Sequence, residues 1–331
     1  MSNGEFERSP ELWYDDGTVV LQADKTLFKV YKGILSRESS LFRDMFSLPQ
    51  PATGVEMYEG CQLLKIHDDA AQMSLFLLAL FSSYDFLLSQ CTCVQYTAIL
   101  RVAMKYQADD LRKRILSILQ RIYPDTLEGW EEVNRTGEYY PSTNLLHRLP
   151  LDDLDAHIAV INLAQQDADA EAVLPAAMLR LFQRDMDVIV DAARTSGLDA
   201  ARVLEVLPAM SALARTHTFA LLFSGDVRLS DDCRSVSSCF AVRRKFLIAL
   251  ERPGFAYVAD PFARVKFAQG KLAFDLCGAC RRVFQASYEA GRETAWEALP
   301  ACFKLGSWDT LRRRITPVEG EEEGAPITAS F

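Results

Sequence analysis

Apolar and polar positions alternate along residues 18–30 and then recur at helical spacing along residues 31–48. The alternation on both sides of Asp24 predicts two strands joined by a tight turn. Ile34 and Leu35 then predict a short helix, and Ser39 is a candidate N-cap for a second helix, which prolines at 49 and 51 end. The apolar face of this second helix is predicted to consist of Leu41, Phe42, Met45 and Phe46.

The periodicity predicts further elements after a loop at residues 49–59. A short strand is expected at 63–66, followed by helices around residues 73–84, 96–106 and 111–122. A connector with one short helix around Trp130 leads to helices at 153–165, 170–183, 200–224, 239–251 and 280–299. Pro175 and Pro208 are expected to start, kink or divide two of these helices. The fold class is therefore α+β, with a mainly helical C-terminal part.

Length and composition limit the function classes. With 331 residues, 49% of them hydrophobic, the chain can bury at least one full core. Its longest apolar runs are too short to span a bilayer, and its N-terminus does not resemble a signal peptide. We therefore expect an intracellular protein, cytoplasmic or nuclear, with mostly reduced cysteines and no membrane association. The formal charge of −9 argues against direct binding of nucleic acid.

Three consecutive motifs give residues 28–46 a resemblance to the BTB (POZ) fold, a module that pairs proteins with one another. They are Phe-Lys-Val at 28–30, Lys-Gly-Ile-Leu at 32–35 and Ser-Ser-Leu-Phe-Arg-Asp-Met-Phe at 39–46. The wording DGTVVL at 16–21 and FSLPQP at 46–51 looks most like the BTB family of mushroom-forming fungi. Many members have His where this chain has Tyr31. The resemblance implies a small three-stranded sheet with helices.

The resemblance and the composition of the flanking segments together predict a domain organisation. We expect a disordered N-terminus at residues 1–10, a BTB domain at 11–125 and a connector at 126–150. A helical C-terminal domain would follow at 151–315, and an acidic disordered tail at 316–331.

BTB dimers form through the first helices and the N-terminal segment. The implied homodimer interface here consists of Trp13, Leu35, Leu41 and Met45. Many relatives are substrate adaptors on a cullin-type ubiquitin-ligase scaffold or transcriptional regulators. Another alternative to the homodimer is a BTB domain that stays monomeric because the C-terminal domain covers its exposed helices.

Four of the eight cysteines form two pairs in the C-terminal part: Cys233 with Cys239, and Cys277 with Cys280. Two such pairs can supply the four soft ligands of a tetrahedral zinc site. Related fungal BTB proteins often carry a Cys-x5-Cys and a later Leu-Cys-x-x-Cys, followed by Arg, Trp, Leu-Pro, Phe and Trp. This chain matches with Leu276, Cys277, Cys280, Arg292, Trp296, Leu299, Pro300, Phe303 and Trp308. One structural zinc ion, two buried pairs of reduced cysteines and a redox-active CxxC remain alternatives.

No catalytic motif accompanies these features, because the sequence contains no GxGxxG, GxxxxGK[ST] or GxSxG. The four histidines are scattered and are predicted to be surface or capping residues. Trp296, Phe303 and Trp308 are predicted to pack the end of the C-terminal domain. We expect a non-catalytic interaction protein with BTB-mediated self-association and a C-terminal client-binding domain. The alternative is an enzyme or redox protein that uses the cysteine cluster.

Overall fold

The chain is a mixed α+β protein that divides into two compact units. The first unit comprises Met1–Pro124 and Glu132–Leu163, and the second comprises Asp125–Glu131 and Ala164–Phe331. Residues 132–163 therefore group with the first unit. The sequence-based prediction had assigned them partly to a connector and partly to the C-terminal domain. The computed structural model describes residues 6–48, 56–81, 91–135, 153–184, 186–195, 198, 229–250, 262 and 276–315. The helix predicted at 200–224, Pro208 and the tail at 316–331 lie outside the described residues.

A five-stranded mixed sheet lies in the first unit. Its strands are β1 (Glu7–Trp13), β2 (Val19–Ala23), β3 (Thr26–Val30), β4 (Met57–Tyr58) and β5 (Cys61–Ile66). The order is β1-β3-β2-β5-β4, with β2 antiparallel to β3 and parallel to β5. Asp24 closes the β2–β3 hairpin at a φ of 48°, a left-handed conformation that Asp tolerates better than most residues. The three strands predicted from the sequence are thus adjacent in this sheet.

Two strands were not predicted. β1 includes residues 7–10, which were expected to be disordered, and β4 lies in the stretch expected to be a loop. Only Ser9 and Leu12 of β1 are buried, so its apolar alternation is too weak to detect. Backbone pairing with β3 holds this strand, as Glu7 lies opposite Thr26.

Among the described residues, seven α-helices interrupt the sheet or follow it as far as residue 164. They are α1 (Lys32–Glu38), α2 (Ser40–Ser47), α3 (Ala70–Phe81), α4 (Cys93–Lys105), α5 (Asp109–Ile122), α6 (Leu127–Arg135) and α7 (Leu154–Ala164). Ser39 is the N-cap of α2 as predicted, because its Oγ accepts the Phe42 N–H at 3.1 Å. The same hydroxyl donates to the Tyr106 carbonyl. The Tyr106 ring stacks on Phe42 with centroids 4.7 Å apart, so the start of α2 is fixed against the end of α4.

The helices described after residue 164 lie in the second unit, which also includes residues 127–131 of α6. They are a 3-10 helix (Ala168–Val173), α8 (Leu174–Phe182), α9 (Met186–Thr195), α10 (Val236–Leu250), α11 (Gly278–Cys302) and α12 (Trp308–Ile315). Pro175 divides the helix predicted at 170–183, because it lies in the first turn of α8, where its missing N–H costs no helical hydrogen bond. Helices α9 and α12 were not predicted.

Buried tryptophans form the centre of the second unit. The Trp296 ring lies 5.7 Å from Trp130 and stacks on Trp308 at 5.5 Å, and all three side chains are fully buried. Trp308 Nε1 donates to the Trp296 carbonyl at 2.8 Å. Phe303 is buried as well. The predicted packing role of Trp296, Phe303 and Trp308 is confirmed. Within the described part of the chain, no helix combines the length and the apolar character that crossing a membrane requires.

Candidate metal centre

The second unit brings together the four cysteines that the sequence paired. Cys233 lies in the turn before α10, and Cys239 is in the first turn of that helix. Cys277 is the N-cap of α11, and Cys280 follows in its first turn. Their four Sγ atoms all lie within 4.8 Å of one another, and those of Cys233 and Cys277 are 3.9 Å apart. Two sequence segments about forty residues apart therefore meet at one point.

The separations of the sulfurs fit a tetrahedral metal ion. Zinc–sulfur bonds of about 2.3 Å place the ligands of a regular tetrahedron about 3.8 Å apart. The observed separations need only small movements to reach this value. Thiolate ligands favour zinc and other thiophilic ions over magnesium or calcium. The residues present therefore fit one zinc ion.

Backbone N–H groups point at two of the sulfurs. Cys277 N–H donates to Cys239 Sγ, and Cys280 N–H donates to Cys277 Sγ, both at 3.4 Å. Such donors stabilise negative charge on sulfur, and the N-terminus of α11 adds its favourable dipole. The sequence predicted the helix start at this point and a tight turn at Gly278. It could not predict the hydrogen bond from the Cys277 N–H to Cys239, because that bond joins segments far apart in the sequence.

The ionisation of the cysteines differs within the cluster. The backbone N–H of Cys280 is the main cause that lowers the pKa of Cys277 to about 6. Burial raises the pKa of Cys280 to about 12. One thiol is thus ready to ionise while its neighbour keeps its proton. A bound divalent cation favours the thiolate at each ligand, so metal binding releases protons.

The charges around the cluster suit a metal–thiolate centre. Four thiolates and one divalent ion carry a net charge of about −2. The exposed side chains of Arg234, Arg281 and Arg282 lie one or two residues from cluster cysteines and offset this charge. Asp231 and Asp232 precede Cys233 and oppose them only in part.

The residues predicted for a dimer interface divide into two groups. Trp13, Leu41 and Met45 are half-buried. Leu35 is fully buried, so its side chain contributes to the core of the first unit and is not available to a second protomer. Of these four residues, only the half-buried three can belong to an exposed interface.

A buried polar group in the first unit was missed. His157 is buried, and its Nδ1 lies 2.9 Å from the Tyr123 hydroxyl, so the prediction of a surface or capping role is wrong for this histidine. His147 and His217 lie outside the described residues.

Tyr123 also interacts with a buried cysteine of the first unit. Burial raises the pKa of Cys93 to about 12, and a hydrogen bond from Tyr123 offsets part of this effect.

Comparisons with known proteins found no relative of this chain. The chain matches no protein-family model, no curated protein and no solved structure. Its function is therefore inferred from its own residues and from the resemblance at residues 16–51.

Proposed function

We propose that this chain is a non-catalytic protein–protein interaction protein. Its first unit would be a BTB domain that pairs two copies of the chain. Its second unit would carry the client-binding surface and hold one structural zinc ion. The observation that carries the proposal is the partly exposed apolar face of α2, which follows a strand hairpin and a first short helix.

The order of elements in the first unit supports a BTB-like domain. The hairpin β2–β3 leads directly into α1 and α2, and β5 returns beside β2 before the helices α3, α4 and α5. The sheet has five strands instead of three, since β1 and β4 add one strand to each edge. The proposal therefore treats β2, β3 and β5 as the common part and the two edge strands as additions.

Helix α2 carries apolar side chains that are partly exposed in the part of the chain that the structure describes. Phe42 is its buried residue, whereas Leu41 and Met45 on the adjoining side remain half-exposed. Leu48, just beyond the helix, is 65% exposed. Burying such residues at a dimer contact would contribute about 25 cal/mol for each Å² of apolar surface removed from water. This energy supports an interface that includes Trp13, Leu41 and Met45.

The donor set of the cysteine cluster favours a structural over a catalytic metal. Four protein ligands complete a tetrahedral shell and leave no position for a substrate or water. Cys239 and Cys280 are buried, as in a site that fastens segments together. The zinc ion would fix the start of α10 to the start of α11.

Two cellular roles fit such an assembly. A BTB dimer can act as a substrate adaptor on a cullin-type scaffold or as a transcriptional regulator that recruits other proteins. Binding of a purified cullin N-terminal domain to the full chain separates them, because only the adaptor role requires that contact. The net charge of −9 supports recruitment through proteins over direct contact with nucleic acid.

Sedimentation of the full chain tests self-association. The double change Leu41→Glu with Met45→Glu places two charges on the proposed interface and should convert a dimer into a monomer. Ser47→Glu is the matched control, because at about 100° per residue Ser47 lies on the opposite side of α2 and is exposed. A wild-type chain that sediments as a monomer, with helical content intact, would contradict the proposed dimer.

A further inference from the structure

The four cysteines of the cluster differ in their access to solvent. Cys233 and Cys277 are half-buried, whereas Cys239 and Cys280 are buried. The two accessible thiols are neighbours, with their Sγ atoms 3.9 Å apart. A small polar oxidant from solution therefore reaches Cys233 and Cys277 before it reaches Cys239 and Cys280.

We propose that Cys233 and Cys277 form an oxidation site, at which a hydroperoxide converts the two thiols into a disulfide. The site needs only the two thiols in place. The release of metal described below rests on the proposed zinc ion, but the disulfide does not.

The reaction balances with hydrogen peroxide as the oxidant. The sulfur of one cysteine, as its thiolate, attacks a peroxide oxygen, so an S–O bond forms, the O–O bond breaks and hydroxide leaves as water after protonation. The second thiolate then attacks this sulfenic sulfur, the S–S bond forms, and the S–O bond breaks with loss of a second water. The two thiols together lose two electrons and two protons, and one peroxide becomes two waters.

The local backbone favours this pair over the CxxC pair. A disulfide requires the sulfurs to approach to about 2.05 Å. Cys233 lies in a turn outside α10, so it can move toward Cys277 without unwinding a helix. Cys280 lies inside the first turn of α11, and Cys239 inside that of α10, so their backbone has less freedom to shift than the turn at Cys233.

The disulfide would have a direct consequence for a bound zinc ion. It removes two of four thiolate ligands and leaves only Cys239 and Cys280, which cannot complete a tetrahedral site. Oxidation would therefore release one zinc ion for each disulfide formed. Reduction by a thiol would restore the ligands.

Peptide mapping of the full chain after treatment with hydrogen peroxide tests the site. The expected result is a Cys233–Cys277 cross-linked peptide as the first product, with loss of two of the eight free thiols. This should occur in both chelator-treated and zinc-supplemented protein. A zinc-sensitive dye should record stoichiometric release from any chain that carries zinc.

Cys302→Ser is the matched control, because Cys302 is also half-buried in the second unit but lies outside the cluster. This variant should form the same disulfide at the same rate, and Cys233→Ser should not form it. A first disulfide between Cys277 and Cys280, or oxidation of Cys302 before the pair, would overturn the proposal. Absence of zinc from the protein as purified would instead contradict the structural zinc ion, and the mapping of the disulfide would still decide this inference.

Discussion

The guanidinium of Arg292 on α11 donates to the carboxylate of Glu131 on α6, although 161 residues separate them in sequence. Their side chains are only 2% and 8% exposed. Arg292 Nη2 also donates to the Phe262 carbonyl at 2.6 Å, and Nη1 donates to Glu289 at 2.7 Å. Each charged partner is compensated, which is the condition under which buried ions are tolerated in proteins.

Replacing Arg292 by Met should be strongly destabilising, because Glu131 would remain as a buried charge without its cation. Breaking such a pair costs about 3–5 kcal/mol in the free energy of unfolding, measurable by urea titration. Glu131→Gln should cost less, about 1–3 kcal/mol, since Arg292 keeps its other acceptors. The control Arg313→Met removes an exposed arginine from α12, away from the cysteine cluster, and should change stability by less than about 0.5 kcal/mol. Equal effects of the two arginine changes would show that the buried pair contributes nothing.

Two glycines of the first unit should respond oppositely to alanine. A Cβ on Gly17 would lie 2.8 Å from Lys29 Cγ and about as close to two backbone atoms, so Gly17→Ala should destabilise the protein by about 1–3 kcal/mol. A Cβ on Gly33 meets nothing within 4 Å. Because Gly33 lies inside α1, Gly33→Ala should stabilise by about 0.5–1 kcal/mol. Thermal melts of both variants decide this, and a Gly17→Ala protein as stable as wild type would mean that the backbone at residue 17 can shift freely.

Removal of zinc should lower the stability of the full chain. A ligand present at about a thousand times its dissociation constant contributes about 4 kcal/mol, so a strong chelator should reduce the melting temperature by several degrees. Elemental analysis should find one zinc ion per chain in wild type and in Cys302→Ser, and none in Cys239→Ser. A chelator-insensitive melt together with metal-free protein would rule out the structural ion.

The reactivity of Cys277 should depend on pH in the metal-free protein. Because the Cys280 N–H lowers its pKa to about 6, Cys277 should react with iodoacetamide at pH 7 and lose this reactivity as the pH falls through about 6. An unfolded thiol ionises near pH 8.5. The stabilisation that comes from the Cys277 thiolate is therefore fully present above about pH 8.5 and disappears as the pH falls through about 6.

Mass spectrometry of the labelled peptides measures the rate at Cys277 against that at Cys302. Burial raises the pKa of Cys302, so its labelling should require more alkaline conditions. Identical pH profiles for the two cysteines would contradict the role of the Cys280 N–H group.

The elements that the sequence predicted well are those with a local cause. The alternation around Asp24 defines the hairpin, and the Ser39 hydroxyl starts α2 through contacts within three residues. Helix α9 was missed because its run Val188–Val190 is β-branched, which favours strands, while Ile189 and Ala192 are its buried positions. Strand β1 was missed because its pairing partner, and not its own pattern, determines its conformation.

In the candidate site, too, features with a local cause were predicted and features that depend on distant segments were not. The short spacing of Cys277 and Cys280 made a ligand pair visible, and the chemistry of four cysteines made zinc a reasonable hypothesis. No local pattern shows that Cys233 and Cys277 are the accessible pair, or that Glu131 meets Arg292, since these relationships depend on segments far apart in the sequence. Exposure and long-range contacts required the structure.

The two units alternate along the chain, and this order affects how each unit can fold during synthesis on the ribosome. The segment Asp125–Glu131 belongs to the second unit but emerges before residues 132–163, which belong to the first. About 160 further residues are therefore synthesised after Glu131 before its partner Arg292 is available. This takes roughly ten to thirty seconds at usual elongation rates. A fragment that ends at residue 125 also omits part of the first unit. Fragments for expression should therefore not be cut at this position, and a chaperone that covers the early segment would have a specific period in which to act.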